Sequence, residues 1–149
     1  MYLIKIKKEI QSSGARRYGA LLILFCLAGC AVTLVSKYDE IIDHGITDFQ
    51  RKIDLYLIQK QKNPMPAYRE SFYDSVFTDL GILATRSSAI PKNSITDTII
   101  AGITSQVQRI KTRDSSGSKS AEFFQIMNTT IDRDCKSALT FELAKKRGD

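Results

Sequence analysis

Hydrophobic residues recur every three or four positions along most of the chain after residue 33, which is the spacing of one face of an α-helix. No window keeps the alternation of apolar and polar residues that a half-buried strand needs. The pattern predicts a first helix over 33–62, with its apolar stripe at Val35, Tyr38, Ile42, Phe49, Ile53 and Tyr56. It predicts a second helix over 67–88, with a stripe of Phe72, Val76, Leu80 and Leu83 flanked by Tyr73 and Phe77.

Two further helices are predicted in the second half of the chain. The third begins at Ser94, which can cap its first turn while Asp97 bonds back, and its stripe is Ile95, Ile99, Ile103, Val107 and Ile110. The fourth carries Phe124, Met127, Ile131, Cys135 and Ala138 and ends in the basic residues 145–147, which the helix dipole favours there. The Ser- and Gly-rich segment 114–120 between them is predicted to be a flexible loop.

The connections between the predicted helices are short, and Pro64 and Pro66 end the first helix. Short connections place successive helices antiparallel to each other. The predicted fold is therefore all-α, an antiparallel four-helix bundle that forms a single domain over residues 31–149.

One hydrophobic stretch is continuous rather than periodic. From Tyr18 to Ser36 there is no charged side chain, and Arg16 and Arg17 come directly before it. A basic start followed by an apolar run is typical of a segment whose following residues are translocated across a membrane. Two outcomes stay open: the run is kept as a membrane span to about residue 36, near the roughly 20 residues that a helix needs, or residues 1–30 are cleaved as a signal peptide.

The end of this run carries a short motif. Leu27, Ala28, Gly29 and Cys30 resemble the lipobox of bacterial lipoproteins. In that family the cysteine is acylated and becomes the new N-terminus, so the resemblance implies lipidation at Cys30 with palmitate-type chains. Several chains anchor stably, since each buried methylene contributes about 0.8 kcal/mol. Ala31, rather than Asp, is similar to the outer-membrane class, so the expected place is the cell membrane or the outer membrane, facing the periplasm.

Further strings resemble small bacterial lipoproteins and helical envelope proteins of uncharacterised function. They are residues 38–39, 42–43, 45–47, 72–73 and 90–96, and the C-terminal FELAKKRG at 141–148. This resemblance brings no catalytic residues, so it implies a non-enzymatic structural, interaction or accessory role in the cell envelope. The implied partners are membrane lipid, through acylated Cys30, and a protein of the envelope. The alternatives are a single-span inner-membrane subunit of an envelope complex and a small carrier of apolar ligands.

Charge and cysteine usage narrow the function classes further. The formal net charge is +6, and +4 of it lies in residues 1–30. The remaining excess is dispersed, so no nucleic-acid partner is expected. Of the three cysteines, Cys26 would leave with a signal peptide and Cys30 would be acylated. Cys135 alone forms neither a disulfide nor a metal pair within one mature chain, and its place on an apolar stripe predicts a buried core residue.

The polar residues offer few catalytic groupings. His44 is the only histidine, so neither a Ser-His-Asp triad nor a multi-histidine metal site can be assembled within one chain. Glu40, His44 and Asp48 follow each other at four-residue steps, which predicts an ionic or pH-sensitive row on one helix face that Lys52 continues. No metal and no other cofactor is expected. Asp132 and Asp134 are expected to be exposed.

Aromatic residues are numerous for a bundle of this size. The chain has 6 tyrosines and 7 phenylalanines but no tryptophan. Neighbours such as Phe123 and Phe124 diverge by about 100° around a helix, so they cannot both face one narrow core. Either the core is wide, or an aromatic patch is left for a partner or an apolar ligand.

Overall fold

The computed structural model describes residues 35–63, 65–117 and 120–148. Within these ranges there is no strand, and the chain forms four helices: α1 (Glu40–Lys60), α2 (Glu70–Ser88), α3 (Ser94–Ser115) and α4 (Ala121–Gly148). The all-α prediction is confirmed. No helix in this part of the chain has both the length and the hydropathy of a membrane span. The lipobox residues 27–30 and the signal-peptide or anchor segment up to residue 34 lie outside the described residues.

Each helix packs against the helices that precede and follow it, and α4 also packs on α1. Arg86, near the end of α2, binds Asp39, just before α1. Lys111, near the end of α3, binds Glu70 at the start of α2. Neighbouring helices therefore run in opposite directions, which agrees with the predicted helical bundle.

The four helices share one core, because each buries a single stripe of apolar residues. The stripes of α1 and α4 follow the predicted spacing. The buried apolar side chains are Ile42, Ile46, Phe49, Ile53, Tyr56, Leu57, Tyr73, Val76, Leu80, Leu83, Ile100, Ile103, Val107, Ile110, Phe124, Met127, Ile131, Cys135 and Ala138.

The stripes of α2 and α3 are each rotated from the prediction by one residue at the helix start. On α2, Tyr73 is fully buried and Phe72 only partly so. On α3, Thr96 and Ile100 are buried, whereas Ile95 is 49% exposed. The hydroxyl of Thr96 donates to Glu142 on α4, and this hydrogen bond selects the buried face.

The predicted starts of α1 and α3 are also corrected. Residues 35–39 are not helical, because Asp39 caps α1 by accepting a hydrogen bond from Ile42 N at 3.0 Å. The residue before α3 is Asn93, and Ser94 is already helical, so the predicted Ser94 cap is wrong. Asp97 does not bond back; its carboxylate accepts a hydrogen bond from Ser87 instead.

Candidate functional site

The predicted ionic row on α1 is divided in the structure. His44 Nε2 lies 3.5 Å from Glu40 Oε1, and both side chains are exposed. Asp48 pairs with Arg51 at 2.9 Å. Lys52 does not continue the row, because its ammonium group reaches α2. In the described ranges, no three acidic, histidine or cysteine side chains lie where they could hold a metal ion.

The chain enters the bundle at the end formed by the α2–α3 turn and the last turn of α4, which we call the proximal end. Ser36 N donates to Lys92 O at 3.3 Å, and Ser36 Oγ donates to Asn93 Oδ1 at 2.8 Å. Lys145 Nζ donates to the same Asn93 oxygen at 2.6 Å. Asn93 thus joins the incoming chain, the α2–α3 turn and α4.

Four buried polar residues meet here: Asn93, Thr96, Glu142 and Lys145, which we call the proximal cluster. Lys145 uses all three of its ammonium protons, on Asn93 Oδ1, on Thr96 Oγ1 at 3.1 Å and on Glu142 Oε1 at 2.6 Å. The Lys145 and Glu142 side chains are 2% and 0% exposed. A buried ion pair of this kind is stable only when such additional hydrogen bonds compensate for lost hydration.

We call residues 36–39 the lead-in segment. Besides Ser36, its residues Tyr38 and Asp39 also bind to the bundle. The Arg86 guanidinium binds both carboxylate oxygens of Asp39 at 2.9 Å, and this contact holds the pKa of Asp39 below its usual value. Tyr38 Oη donates to Asp43 Oδ2 at 2.7 Å, which raises the pKa of Tyr38 to about 12. Lys146 Nζ lies 4.9 Å from the centroid of the Tyr38 ring. Contacts from α1, α2, α4 and the α2–α3 turn therefore hold the segment.

The opposite, distal end holds a second buried group: Tyr56, Lys60, Tyr73 and Asp114, which we call the distal cluster. Lys60 Nζ lies 2.6 Å from Asp114 Oδ1, and these side chains are 1% and 4% exposed. Tyr56 Oη and Tyr73 Oη donate to Asp114 Oδ2 at 2.6 and 2.9 Å. Burial raises the pKa of both phenols, so they stay protonated at neutral pH.

The aromatic residues pack mainly on one another around the distal cluster. The Phe72 ring stacks on Tyr56 with centroids 3.7 Å apart, and Tyr68 stacks on Tyr73 at 5.5 Å. The Arg69 guanidinium lies 5.1 Å from the Tyr56 centroid. This packing favours the wide core over a free aromatic patch. A cleft of about 330 Å³ beside Asp114 is open, but the oxygens of this carboxylate are already bonded within the cluster.

A carboxyl pair lies between α1 and α4. Burial, and then the nearby charge of Asp132, raise the pKa of Asp54 to about 6. Gln50 Nε2 donates to Asp132 Oδ1 at 3.0 Å, so Asp132 is part-buried rather than exposed as predicted. Asp134 is likewise part-buried and accepts a hydrogen bond from α3. Cys135 is buried as predicted, and burial raises its thiol pKa to about 12, which makes it a poor nucleophile.

A groove of about 560 Å³ runs between the outer faces of α1 and α2. Its apolar lining includes Ile41, Leu55 and Ile82, which are 55%, 59% and 61% exposed. Lys52 and Asp79 form an ion pair across it. The groove is thus an open surface with mixed lining rather than an enclosed pocket for an apolar ligand.

No family model, curated protein or solved structure matches this chain. The function is therefore argued from the residues and their geometry.

Sequence reasoning missed the two buried clusters. Asp114 falls in the predicted loop 114–120 but lies in α3, and Asn93 appears in the sequence analysis only within the string 90–96 that carries the resemblance. A signal for the distal cluster exists in Lys60, because it continues the apolar stripe of α1 at a step of four from Tyr56. A lysine on a buried stripe requires a partner carboxylate.

Proposed function

We propose that the chain is a membrane-anchored lipoprotein of the bacterial cell envelope. In this proposal residues 1–30 are a signal peptide, Cys30 carries the lipid, and the antiparallel four-helix bundle faces the periplasm. The bundle acts as a non-enzymatic interaction or accessory module. The observation that carries the proposal is the fastening of the lead-in segment to the proximal end, six residues after Cys30.

This fastening supports an anchor because it gives the bundle a firm attachment next to the lipobox. Ser36 is bound by Asn93 in the α2–α3 turn and Asp39 by Arg86 of α2, while Lys145 of α4 bonds the same Asn93 oxygen, so the segment after the lipobox is held by several elements of the bundle. The non-enzymatic role is supported by the two end clusters. Their ammonium groups and most of their oxygens are engaged with one another, as in groups that stabilise a fold.

Palmitate incorporation tests the lipid anchor. The full chain, expressed in a bacterium with lipoprotein-processing enzymes, should incorporate radiolabelled palmitate, and Cys30→Ser should abolish the label. Cys26→Ser is the matched control, since it removes a thiol from the same apolar run and should leave the label unchanged. The intact mass should place the mature N-terminus at residue 30.

Other outcomes of this experiment would replace the proposal. A full-length, unlabelled chain embedded in the membrane would favour the single-span inner-membrane subunit, for which the uncharged run 18–36 is the supporting observation. Label that persists in Cys30→Ser would contradict lipidation at this residue. A chain recovered only from the cytosol would contradict both forms of anchoring.

A further inference from the structure

The geometry points to the proximal end as a docking surface for an anionic phospholipid bilayer. We define this basic surface by the exposed side chains of Lys37, Lys92, Lys146 and Arg147, together with the partly exposed Val35 and Ile95. The inference rests on the membrane anchor proposed above. It adds which face of the bundle meets the lipid and which lipid chemistry that face selects.

The first argument is the reach of the chain. Ser36 is the sixth residue after Cys30, and an extended chain over that interval spans at most about 20 Å. Ser36 is itself bonded to Lys92 O and Asn93 Oδ1, so its position relative to the bundle is fixed. An anchor at Cys30 therefore keeps the proximal end within about 20 Å of the lipid headgroups, a limit that does not apply to the distal end.

The second argument is charge. The side chains that project from the last turns at this end are basic, whereas most acidic groups there are already engaged. Asp39 is bound by Arg86 and Glu142 by Lys145. Glu40, Asp43 and Asp97 also lie at this end, in the first turns of α1 and α3. Asp43 and Asp97 accept hydrogen bonds from hydroxyl groups, and Glu40 is exposed beside His44. The four exposed basic side chains outnumber these three carboxylates, so the surface carries a positive excess that complements anionic headgroups.

The basic side chains lie close to the point of anchoring, where attraction to the lipid headgroups is strongest. Electrostatic attraction between exposed charges decays over a Debye length of about 8–10 Å at physiological salt. Lys37 directly follows Ser36, and the carbonyl of Lys92 accepts a hydrogen bond from Ser36 N. Both lysines therefore lie next to the point where the anchored chain reaches the bundle. Basic groups elsewhere on the bundle lack this placement.

The backbone of Lys92 has a left-handed conformation. Lys92 is the only described residue other than glycine with a positive φ, 65°. Glycine or asparagine adopts this conformation at lower cost than lysine. A lysine here, with its side chain exposed at the tip of the turn, is consistent with a role for its charge rather than for its backbone.

Two apolar side chains complete the surface. Ile95 is 49% exposed and Val35 is 36% exposed. Both lie beside the basic residues, Val35 directly before the lead-in segment and Ile95 in the first turn of α3. Apolar groups among basic ones are the usual composition of a surface that rests in the headgroup region of a bilayer.

Fluorescence quenching by lipid tests this orientation. The chain has no tryptophan, so Ile95→Trp introduces a single indole at the proximal end. Ile126→Trp is the matched control, because Ile126 is 56% exposed and lies in the second turn of α4, at the distal end. The lipidated mature protein would be reconstituted into phosphatidylcholine vesicles, with or without phosphatidylglycerol, that contain a lipid brominated near the headgroup.

We expect strong quenching for Ile95→Trp in the phosphatidylglycerol vesicles, weaker quenching in pure phosphatidylcholine, and little for Ile126→Trp in either. Adding Lys37→Gln, Lys92→Asn and Arg147→Gln should lower the ratio of docked to undocked bundle about fivefold per charge removed. The control triple of Lys62→Gln, Arg109→Gln and Lys136→Gln removes the same charge from exposed positions elsewhere and should preserve the quenching.

Each contrary result has a separate meaning. Equal quenching at both positions, equal quenching in both vesicle types, or an identical effect of the two triples would overturn the docking surface while leaving the anchor intact. If the indole at position 95 is shielded from water but is not quenched by the brominated lipid, a protein rather than lipid covers this face. Protein that does not co-sediment with any vesicle would instead contradict the proposed anchor.

Discussion

Side chains of three helices meet at Asp114. It belongs to α3, but its carboxylate is bound by Tyr56 and Lys60 of α1 and by Tyr73 of α2. Local composition predicts a loop here, since Ser115, Ser116 and Gly117 follow. The partners are far away in sequence, so nothing near Asp114 indicates that it is buried and helical.

Lys60→Met should strongly destabilise the protein, because it leaves the Asp114 carboxylate buried without its counter-charge. Loss of one partner of a buried ion pair costs about 3–5 kcal/mol. The double variant Lys60→Met/Asp114→Asn should lose less, since no unpaired charge remains. Urea unfolding of the full chain in detergent, followed by circular dichroism, measures both.

Lys62→Met is the control for this prediction. Lys62 is exposed two residues further on, and surface substitutions usually change stability by no more than about 0.5 kcal/mol. Equal effects of Lys60→Met and Lys62→Met would contradict the buried pair.

The raised pKa of Asp54 predicts an unusual pH dependence of the free energy of unfolding. Its folded-state pKa is raised from 3.8 to about 6, so the folded protein binds a proton there that the unfolded chain releases. The stabilisation is complete below pH 4 and is lost as the pH rises through 6. Asp54→Asn keeps an amide donor toward Asp132 at every pH. Because Asp54 is partly solvated, we expect the variant to gain only about 1 kcal/mol over the native chain between pH 4.5 and 7.

The measurement is the free energy of unfolding of both proteins across this pH range. Asp39, whose pKa is lowered, loses its contribution as the pH falls below its usual pKa, so it acts at the acid end and cancels in the comparison. Asp48→Asn, on the exposed face of the same helix, should leave the pH profile unchanged. A pH-independent difference between Asp54→Asn and the native chain would refute the carboxyl pair.

At the scale of elements, apolar spacing predicts all four helices and most of the core. It fails where two apolar residues stand next to each other or where a polar residue is buried. At the start of α3 the choice between Ile95 and Thr96 is made by the hydrogen bond from Thr96 to Glu142, 46 residues away. Helical periodicity contains no information about such a distant partner.

The glycines of the helices give a prediction about packing between α1 and α2. A Cβ on Gly45 would lie 2.5 Å from Leu83 Cδ2, whereas a Cβ on Gly102 would meet nothing within 4 Å. Replacing a helical glycine by alanine contributes about 1 kcal/mol when space is free. Gly102→Ala should therefore stabilise the protein by about that amount, and Gly45→Ala should be neutral or destabilising.

Thermal unfolding of the two variants beside the native chain measures this difference. Gly81→Ala is a second test of the open case, since no atom lies within 4 Å of its added Cβ. If Gly45→Ala stabilised the protein as much as Gly102→Ala, the close approach of α1 to Leu83 would be wrong.

At the scale of the whole molecule, short connections suffice to predict the neighbours of each helix. They do not predict how the incoming chain is fastened. Asn93 is 57 residues from Ser36 and 52 from Lys145, and the sequence around each of the three gives no sign that they meet. The proximal cluster could be found only from the assembled fold.

Asn93→Ala should loosen the proximal end, because it removes one buried hydrogen-bond partner from each of Ser36, Ser87 and Lys145. Buried groups left unsatisfied cost about 1–3 kcal/mol each, so we expect a loss of about 3 kcal/mol after partial relaxation. Hydrogen exchange should accelerate most in the lead-in segment. Asn63→Ala, at an exposed position in the distal α1–α2 connection, should change neither quantity.

The fastened lead-in segment has a consequence for any encounter along the side of the bundle. A domain on a long flexible tether reorients freely, so its surfaces sample all orientations and a wide range of distances from the membrane. If the chain is anchored at Cys30, the fastened lead-in segment limits how far the proximal end can move from the membrane. Ile41 and Leu55, which are 14 residues apart on α1, mark a strip about 21 Å long that begins near this end. Two such bundles in one leaflet would carry this strip within a similar range of heights, so their encounters along it would be restricted to a layer beside the membrane.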